Sequence, residues 1–176
     1  QASPVDTTMA LAAVAKKNGA KVIEGISVKA IQTSNGRATG VDTDLGPIEA
    51  EYVVTAAGMW SHQLGRDVGV NIPLHACEHF YAVTEYSKDI PKNLPILRNP
   101  DAHIYVKEDA GKLLIGAFEK KAKPWGMDGI PEDFEFDSVP NDMDHFGPIL
   151  LKAMDRLPIL NDLGIKTYFN GPESFT

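Results

Sequence analysis

The stretch "IEAEYVVTAAGMWS", residues 48–61, decides the fold. Its β-branched residues predict a buried strand. This strand stops at Ala56, Ala57 and Gly58, where the lack of large side chains lets a backbone approach a ligand closely. Trp60 then opens a helix, and a strand-to-helix turn offers free N–H groups to a phosphate. The stretch therefore predicts one wall of a nucleotide site, although the sequence contains no G-x-G-x-x-G loop.

The composition narrows the class of protein. The chain has 176 residues, of which 43% are hydrophobic and 23% charged, as in an ordinary globular protein. A net charge of −7 argues against nucleic acid or an anionic membrane as partner, and no apolar stretch approaches the roughly 20 residues that span a bilayer. The single cysteine, Cys77, fits a reducing compartment such as a bacterial cytoplasm or the mitochondrial matrix. The chain begins without methionine, and we expect it to be an internal piece of a longer protein.

Periodicity and turn signals predict a mixed α/β (α+β) fold in two parts. In the first part, residues 1–68, we expect a helix capped by Asp6 or Thr7 and ended by Gly19, then a β-meander with Asn35-Gly36 as a hairpin turn. The β-type segments there are residues 21–24, 28–33, 38–44 and 48–56, followed by a short helix from Trp60 to Val68. The second part, residues 69–176, predicts an antiparallel sheet and one helix over 142–156, which Pro148 should distort. Its predicted strands are 75–86, 94–98, 103–108, 112–119 and 165–170.

The densest group of reactive side chains is "HACEHFY", residues 75–81. On a strand, His75, Cys77, His79 and Tyr81 would share one face. However, residues four apart on a strand are roughly 13 Å from each other, whereas the ligands of one zinc lie within about 4 Å. We therefore expect no metal site, and residue physics alone favours a half-buried strand with incidental histidines. Periodicity likewise leaves open whether Tyr105 packs in a core or faces a ligand.

Several motifs, in order along the chain, resemble one enzyme family. They are "SPVDTTMALA" (3–12), "VVTAAGMWS" (53–61), "HFYAVTE" (79–85), "IYVKEDAGKLLIGAFE" (104–119) and "RLPILNDLGIKTYFNGPESFT" (156–176). Together they resemble FAD-dependent oxidoreductases of the D-amino-acid oxidase superfamily, in the dimethylglycine and sarcosine dehydrogenase branch. The ordered set covers essentially the whole chain, and "NGPESFT" is its most specific element.

The resemblance implies a piece of a two-domain flavoprotein: part of an FAD-binding Rossmann-like domain, then an antiparallel-sheet substrate domain. The implied reaction is oxidative N-demethylation of a small N-methylated glycine by hydride transfer to FAD. The one-carbon product would be released as formaldehyde or passed to tetrahydrofolate, and electrons would go to an electron-transfer flavoprotein or to oxygen. The phosphate loop and any folate domain would lie outside this stretch, so FAD is expected in the full-length protein and not in this segment alone.

The resemblance also implies roles for individual residues. His79 and Tyr105 would face the substrate, where an imidazole can take a proton near neutral pH and a hydroxyl can orient the amine. The residues implied to contact FAD are Val28, Ala56, Ala57, Gly58, Trp60, Gly171 and Pro172.

Two alternatives remain at this point. A non-catalytic relative, such as the regulatory subunit of pyruvate dehydrogenase phosphatase, resembles the same branch, and the presence of both His79 and Tyr105 argues against it. An oxidase of the superfamily with another substrate, such as glycerol 3-phosphate, would need clustered cations for the phosphate. The predicted strands carry Arg98 and Lys107 but no tight cluster, so this alternative ranks lower.

Overall fold

The computed structural model describes residues 2–176 and divides them into two compact units, each described here by itself. Unit 1 runs to Ala57 and includes Ser61–Ile72, and unit 2 comprises Gly58–Trp60 and Pro73–Thr176. Both units combine helices with antiparallel strands, which confirms the predicted mixed α/β class. The domain boundary between residues 68 and 69 stays a prediction.

Unit 1 begins with helix α1 (Pro4–Lys17). Its N-cap is Ser3, whose hydroxyl accepts a hydrogen bond from the Asp6 backbone N–H at 3.2 Å. The predicted cap at Asp6 or Thr7 was therefore wrong, because Pro4, with its fixed φ, already occupies the first helical turn. The chain leaves the helix at Gly19, which has φ +94° as predicted.

A three-stranded antiparallel meander follows, formed by β1 (Val28–Ser34), β2 (Arg37–Thr43) and β3 (Gly46–Glu49). The predicted turn is confirmed, because Asn35 and Gly36 both have positive φ, as a tight hairpin requires.

The ladder of the meander ends at Glu49, so the predicted strand over residues 48–56 forms only at its first two residues and was wrong for the rest. Tyr52 and Val54 are 80% and 87% exposed. Residues 21–24 form no strand either. A strand exists through the hydrogen bonds of its neighbours, and no described residue pairs with these two segments.

Unit 1 closes with helix α2 (Ser61–Asp67), ended by Gly69 with φ +75°, close to the predicted helix. The one-turn 3₁₀ helix Gly58–Trp60 that precedes α2 belongs to unit 2, where it packs against the last strand.

Unit 2 is built on a five-stranded sheet in which every neighbouring pair is antiparallel, as predicted. The strands lie in the order β5-β6-β7-β4-β8. Short hairpins explain part of this order: Ala110 and Gly111, both with positive φ, join β6 to β7. The strands are β4 (His75–Thr84), β5 (Leu97–Asn99), β6 (Ile104–Asp109), β7 (Lys112–Ala117) and β8 (Ile165–Phe175).

Helix α3 (Met143–Arg156) covers one face of this sheet and closes the core. Asp142 caps it by accepting the His145 backbone N–H at 3.0 Å. The helix runs unbroken through Pro148, which lacks one backbone donor, and the predicted distortion stays a prediction. The buried core residues of unit 2 that α3 and the sheet share include Phe80, Ala82, Ile104, Val106, Ile115, Phe146, Ile149 and Ala153.

Among residues 2–176, every helix is too short or too polar to cross a bilayer.

Candidate active site

The sheet face opposite α3 carries the candidate site. Because side chains alternate along a strand, Phe80 and Ile104 enter the core while their neighbours point to the other face. Paired positions place Arg98 beside Tyr105, Tyr105 beside Gly116, Gly116 beside Tyr81, and Tyr81 beside Phe169. One row therefore crosses all five strands. We call this surface the aromatic face; its rings are His79, Tyr81, Tyr105, Phe118, Phe169 and Phe175.

The structure brings His79 and Tyr105 together at the centre of this face, although 26 residues separate them in sequence. The Tyr105 hydroxyl lies 3.4 Å from Nε2 of His79, and the two rings are stacked with an interplanar angle of 11°. The Phe118 ring packs against both, with centroids 4.8 Å from His79 and 5.5 Å from Tyr105. The His79 side chain is only 13% exposed to solvent. A polar pair thus lies half-buried among aromatic rings.

Two glycines leave room on the sheet for the aromatic rings around this pair. A Cβ on Gly116 would overlap the Tyr105 ring, and a Cβ on Gly171 would lie 2.5 Å from the Phe169 ring. Gly171 is the β8 partner of His79. The absence of side chains at these positions lets both aromatic rings lie flat on the sheet.

The surroundings fix the protonation state of the tyrosine. Burial raises the pKa of the Tyr105 hydroxyl above its ordinary value, the Glu173 carboxylate and Tyr81 act in the same direction, and Arg98 opposes them. The hydroxyl therefore keeps its proton at neutral pH and is able to donate it in a hydrogen bond. Glu173 Oε2 lies 3.8 Å from His79 Nε2, where it would pair with a protonated imidazole.

The residues expected to contact FAD fall in both units. Val28 opens β1 and is 44% exposed, and Ala56 and Ala57 follow the meander in unit 1. Gly58 has φ +54°, and no atom lies within 4 Å of the position its Cβ would take. No side chain covers this backbone, so the turn leaves space for a dinucleotide to approach it closely. In unit 2, Trp60 is 39% exposed.

The expected pair in β8 divides between the two faces of the sheet. Gly171 lies opposite His79, whereas Pro172 lies opposite Glu78, whose side chain points to the core face. The structure therefore brings Gly171, but not Pro172, to the face that carries His79.

The histidine-rich strand shows no metal geometry. Within residues 2–176, no group of three His, Cys, Asp or Glu side chains is close enough to hold an ion. Burial, helped by Glu119, raises the pKa of the Cys77 thiol, so it remains the protonated and weaker ligand.

Sequence reasoning assigned no role in the site to three residues of this region. Phe118 lies two residues beyond Gly116, and Glu173 two beyond Gly171, so strand alternation from the glycines could have found both. The guanidinium carbon of Arg98 lies 4.6 Å from the centroid of the Phe118 ring. Only the pairing of β5 with β6 reveals this contact.

Comparison with known proteins identifies the family of this chain. The sequence model of the family "FAD dependent oxidoreductase" (DAO) matches residues 1–174. The chain is 38% identical to the mitochondrial pyruvate dehydrogenase phosphatase regulatory subunit of Mus musculus, over 99% of this chain and 20% of the relative. It is 37% identical to the mitochondrial sarcosine dehydrogenase of the same species, over 97% of this chain and 18% of the relative. The chain therefore spans about a fifth of the length of these curated relatives.

A solved structure supports the fold. L-proline dehydrogenase from P. horikoshii superimposes with a TM-score of 0.78 at 23% identity, over 99% of this chain and 44% of the other. At this identity, the likeness concerns the fold.

Proposed function

The chain belongs to the family of FAD-dependent oxidoreductases, and from this premise we propose that it forms part of an amine oxidoreductase that demethylates a small N-methylated glycine. The substrate would be sarcosine or dimethylglycine. The observation that carries the proposal is the pair of His79 and Tyr105, 3.4 Å apart on a half-buried aromatic face. Similarity to a sarcosine dehydrogenase supports the choice of substrate class.

Each residue of the pair has a distinct task in this chemistry. When bound, FAD supplies the acceptor for the hydride that leaves the N-methyl carbon. That transfer needs the nitrogen lone pair, so the ammonium must lose a proton, and His79 Nε2 is placed to take it. The protonated Tyr105 hydroxyl orients the amine by a hydrogen bond. Phe118 packs against both rings, and the His79 side chain is only 13% exposed.

The FAD contacts remain part of the proposal. The bare turn supports them most directly, since Gly58 leaves its backbone uncovered. The residues proposed to contact FAD are Val28, Ala56, Ala57, Gly58, Trp60, Gly171 and Pro172.

We further propose that the one-carbon product passes to tetrahydrofolate or leaves as formaldehyde, and that an electron-transfer flavoprotein or oxygen takes the electrons. A mitochondrial matrix or a bacterial cytoplasm would suit such a protein, and the two mouse relatives carry mitochondrial names.

A second function has an observation in its favour. The 38% identity to a pyruvate dehydrogenase phosphatase regulatory subunit supports a regulatory, non-catalytic role in a larger protein. The His79–Tyr105 pair favours catalysis, because a regulatory surface has no need of a half-buried proton acceptor beside a tyrosine.

One experiment separates the two functions. The protein is purified at its full natural length, and its visible flavin spectrum is recorded without oxygen before and after adding sarcosine, dimethylglycine or glycine. Glycine is the matched control, because it lacks the N-methyl group. Bleaching of the flavin band by a methylated compound but not by glycine is the expected result. A flavin that none of the three reduces would favour the regulatory role, and a protein that binds no FAD would contradict both the cofactor and the reaction.

A further inference from the structure

We propose that Arg98 binds the carboxylate of the amino-acid substrate and thereby selects N-methylated amino acids over simple amines. This inference rests on the proposed function and adds a specificity residue to the same site. It follows from the position of Arg98, its unused hydrogen-bond donors and the distribution of charge over the aromatic face.

Strand pairing places Arg98 at the site. Arg98 in β5 is the direct partner of Tyr105 in β6, so both side chains lie on the aromatic face. Its guanidinium lies over the Phe118 ring, with the guanidinium carbon 4.6 Å from the ring centroid. The centroid of the Phe118 ring also lies 4.8 Å from the centroid of the His79 ring. Phe118 thus connects the cation to the proposed proton acceptor.

The guanidinium of Arg98 has hydrogen-bond donors that no described residue uses. Among residues 2–176, no carboxylate forms an ion pair with Arg98, and no acceptor receives a hydrogen bond from it. A cation–π contact with a ring uses none of the five N–H donors of the guanidinium as a hydrogen bond to an acceptor atom. A planar fork of donors matches a carboxylate, which it can bind through two parallel hydrogen bonds.

The charges around His79 complete the argument. Glu173 lies 3.8 Å from His79 Nε2, on the β8 side of the face, whereas Arg98 lies on the β5 side. Both act on the pKa of Tyr105, in opposite directions. A zwitterion would therefore place its ammonium toward Glu173 and His79 and its carboxylate toward Arg98.

Lys107 is another cation on this face, and its position is less suitable. It pairs with Leu114, two residues further along β6 from Tyr105. Its ammonium is a point charge without the planar fork. Lys107 therefore provides a test of whether the position and shape of Arg98 matter, or positive charge alone.

The test compares a substrate with an analogue in which a neutral amide replaces the carboxylate. The apparent Kd values for dimethylglycine and for N,N-dimethylglycinamide, and the limiting rates of flavin reduction, are obtained from the concentration dependence of the flavin absorbance changes in anaerobic stopped flow, on the full-length holoprotein. The variants are Arg98→Met, Arg98→Lys and Lys107→Met. Arg156→Met serves as control, because Arg156 is an exposed arginine in the last turn of α3, against the other sheet face.

In Arg98→Met, we expect the Kd for dimethylglycine to rise about tenfold to a hundredfold, as for the loss of a charge-assisted hydrogen-bond pair. The Kd for the amide and the limiting rate of flavin reduction should change less than about twofold. The Kd of Arg98→Lys for dimethylglycine should lie between those of wild type and Arg98→Met. Arg156→Met should have the Kd values and reduction rate of wild type.

Three results would overturn the proposal: equal loss of acid and amide in Arg98→Met, an acid-specific loss found in Lys107→Met instead, or a wild-type protein that binds the acid no more tightly than the amide. The wild-type protein could also bind the acid more tightly than the amide, lose this preference in Arg98→Met, and yet show no flavin reduction by the acid. This result would support carboxylate binding by Arg98 and contradict the proposed reaction.

Discussion

Helices α1 and α3 each have 14 residues, yet they stand in opposite relations to their units. α3 buries Phe146, Ile149 and Ala153 against the five-stranded sheet, whereas α1 buries none of its residues. Leu11 of α1 is 68% exposed. Unit 2 thus closes a core around its own sheet, and unit 1 leaves apolar side chains uncovered by the described residues. A hydrophobic pattern predicts a helix, but not what will cover it.

The largest expected effect is the difference in stability between matched substitutions in α3 and α1. Ile149→Ala should destabilise unit 2 by about 2–5 kcal/mol, because it removes buried methyl groups and leaves a cavity. Leu11→Ala, the matched change in α1, should stay within about 0.5 kcal/mol. Urea unfolding of both variants measures the difference. An equal loss in the two would mean that Leu11 is covered in the protein and that the contrast between the units is wrong.

A buried hydrogen bond should give the next largest effect. Asn170 is fully buried in unit 2, and its Nδ2 donates to Glu78 Oε2 at 2.7 Å and to the Pro140 carbonyl at 2.9 Å. Asn170→Ala would leave the buried Glu78 Oε2 without this donor, at a cost of about 2 kcal/mol, whereas water can reach the Pro140 carbonyl, because Pro140 is exposed.

The matched contact in unit 1 is the bond from Gln32 Nε2 to Asp42 Oδ1, at 2.7 Å on the partly exposed meander. Water can replace this bond in Gln32→Ala, so the loss there should stay below about 1 kcal/mol. The same urea experiment reports both variants, and a reversed order of the two losses would contradict the burial of the Asn170 site.

The smallest expected effect is a change in acid stability. The Lys123 ammonium, 2.9 Å away, and the His145 backbone N–H hold the pKa of Asp142 below its ordinary value. A depressed pKa stabilises the fold above the ordinary carboxyl range, near 4, and this contribution disappears as the pH falls through the folded value. Asp142→Asn keeps the helix cap but removes the charge, so unfolding between about pH 4 and 2 should depend less on pH.

The control for this change lies in the first turn of α1. Asp6 forms no ion pair with a described residue, so Asp6→Asn should leave the acid limb of the unfolding curve nearly unchanged. Thermal unfolding against pH compares the two variants. An identical acid limb in Asp142→Asn and wild type would show that the Lys123 contact contributes nothing.

Local signals predicted the parts of the fold that depend on neighbours in sequence. Asn35-Gly36 specifies a hairpin through its positive φ, and the strands beside it formed as predicted. Residues 21–24 and 53–55 carry equally good strand composition but found no described partner. Strand composition without a neighbour is therefore an incomplete signal.

The candidate site was predictable only in part, for the same reason. Residue chemistry alone treated His79 as incidental, and the family resemblance selected it together with Tyr105. Arg98 and Phe118 were not predicted as site residues, because their proximity to His79 depends on three strand pairings across the sheet. Register, which no single segment specifies, decides which distant residues meet.

The most direct measurement of the central claim is the rate of flavin reduction by dimethylglycine or sarcosine in His79→Ala, in the full-length holoprotein without oxygen. His75→Ala is the matched control, since His75 begins the same strand on the same face, opposite Phe175. We expect His79→Ala to retain FAD and to lose about a hundredfold or more in reduction rate, as for a missing general base, and His75→Ala to react normally. Normal reduction in an FAD-loaded His79→Ala protein would contradict the assignment of the aromatic face as the catalytic surface.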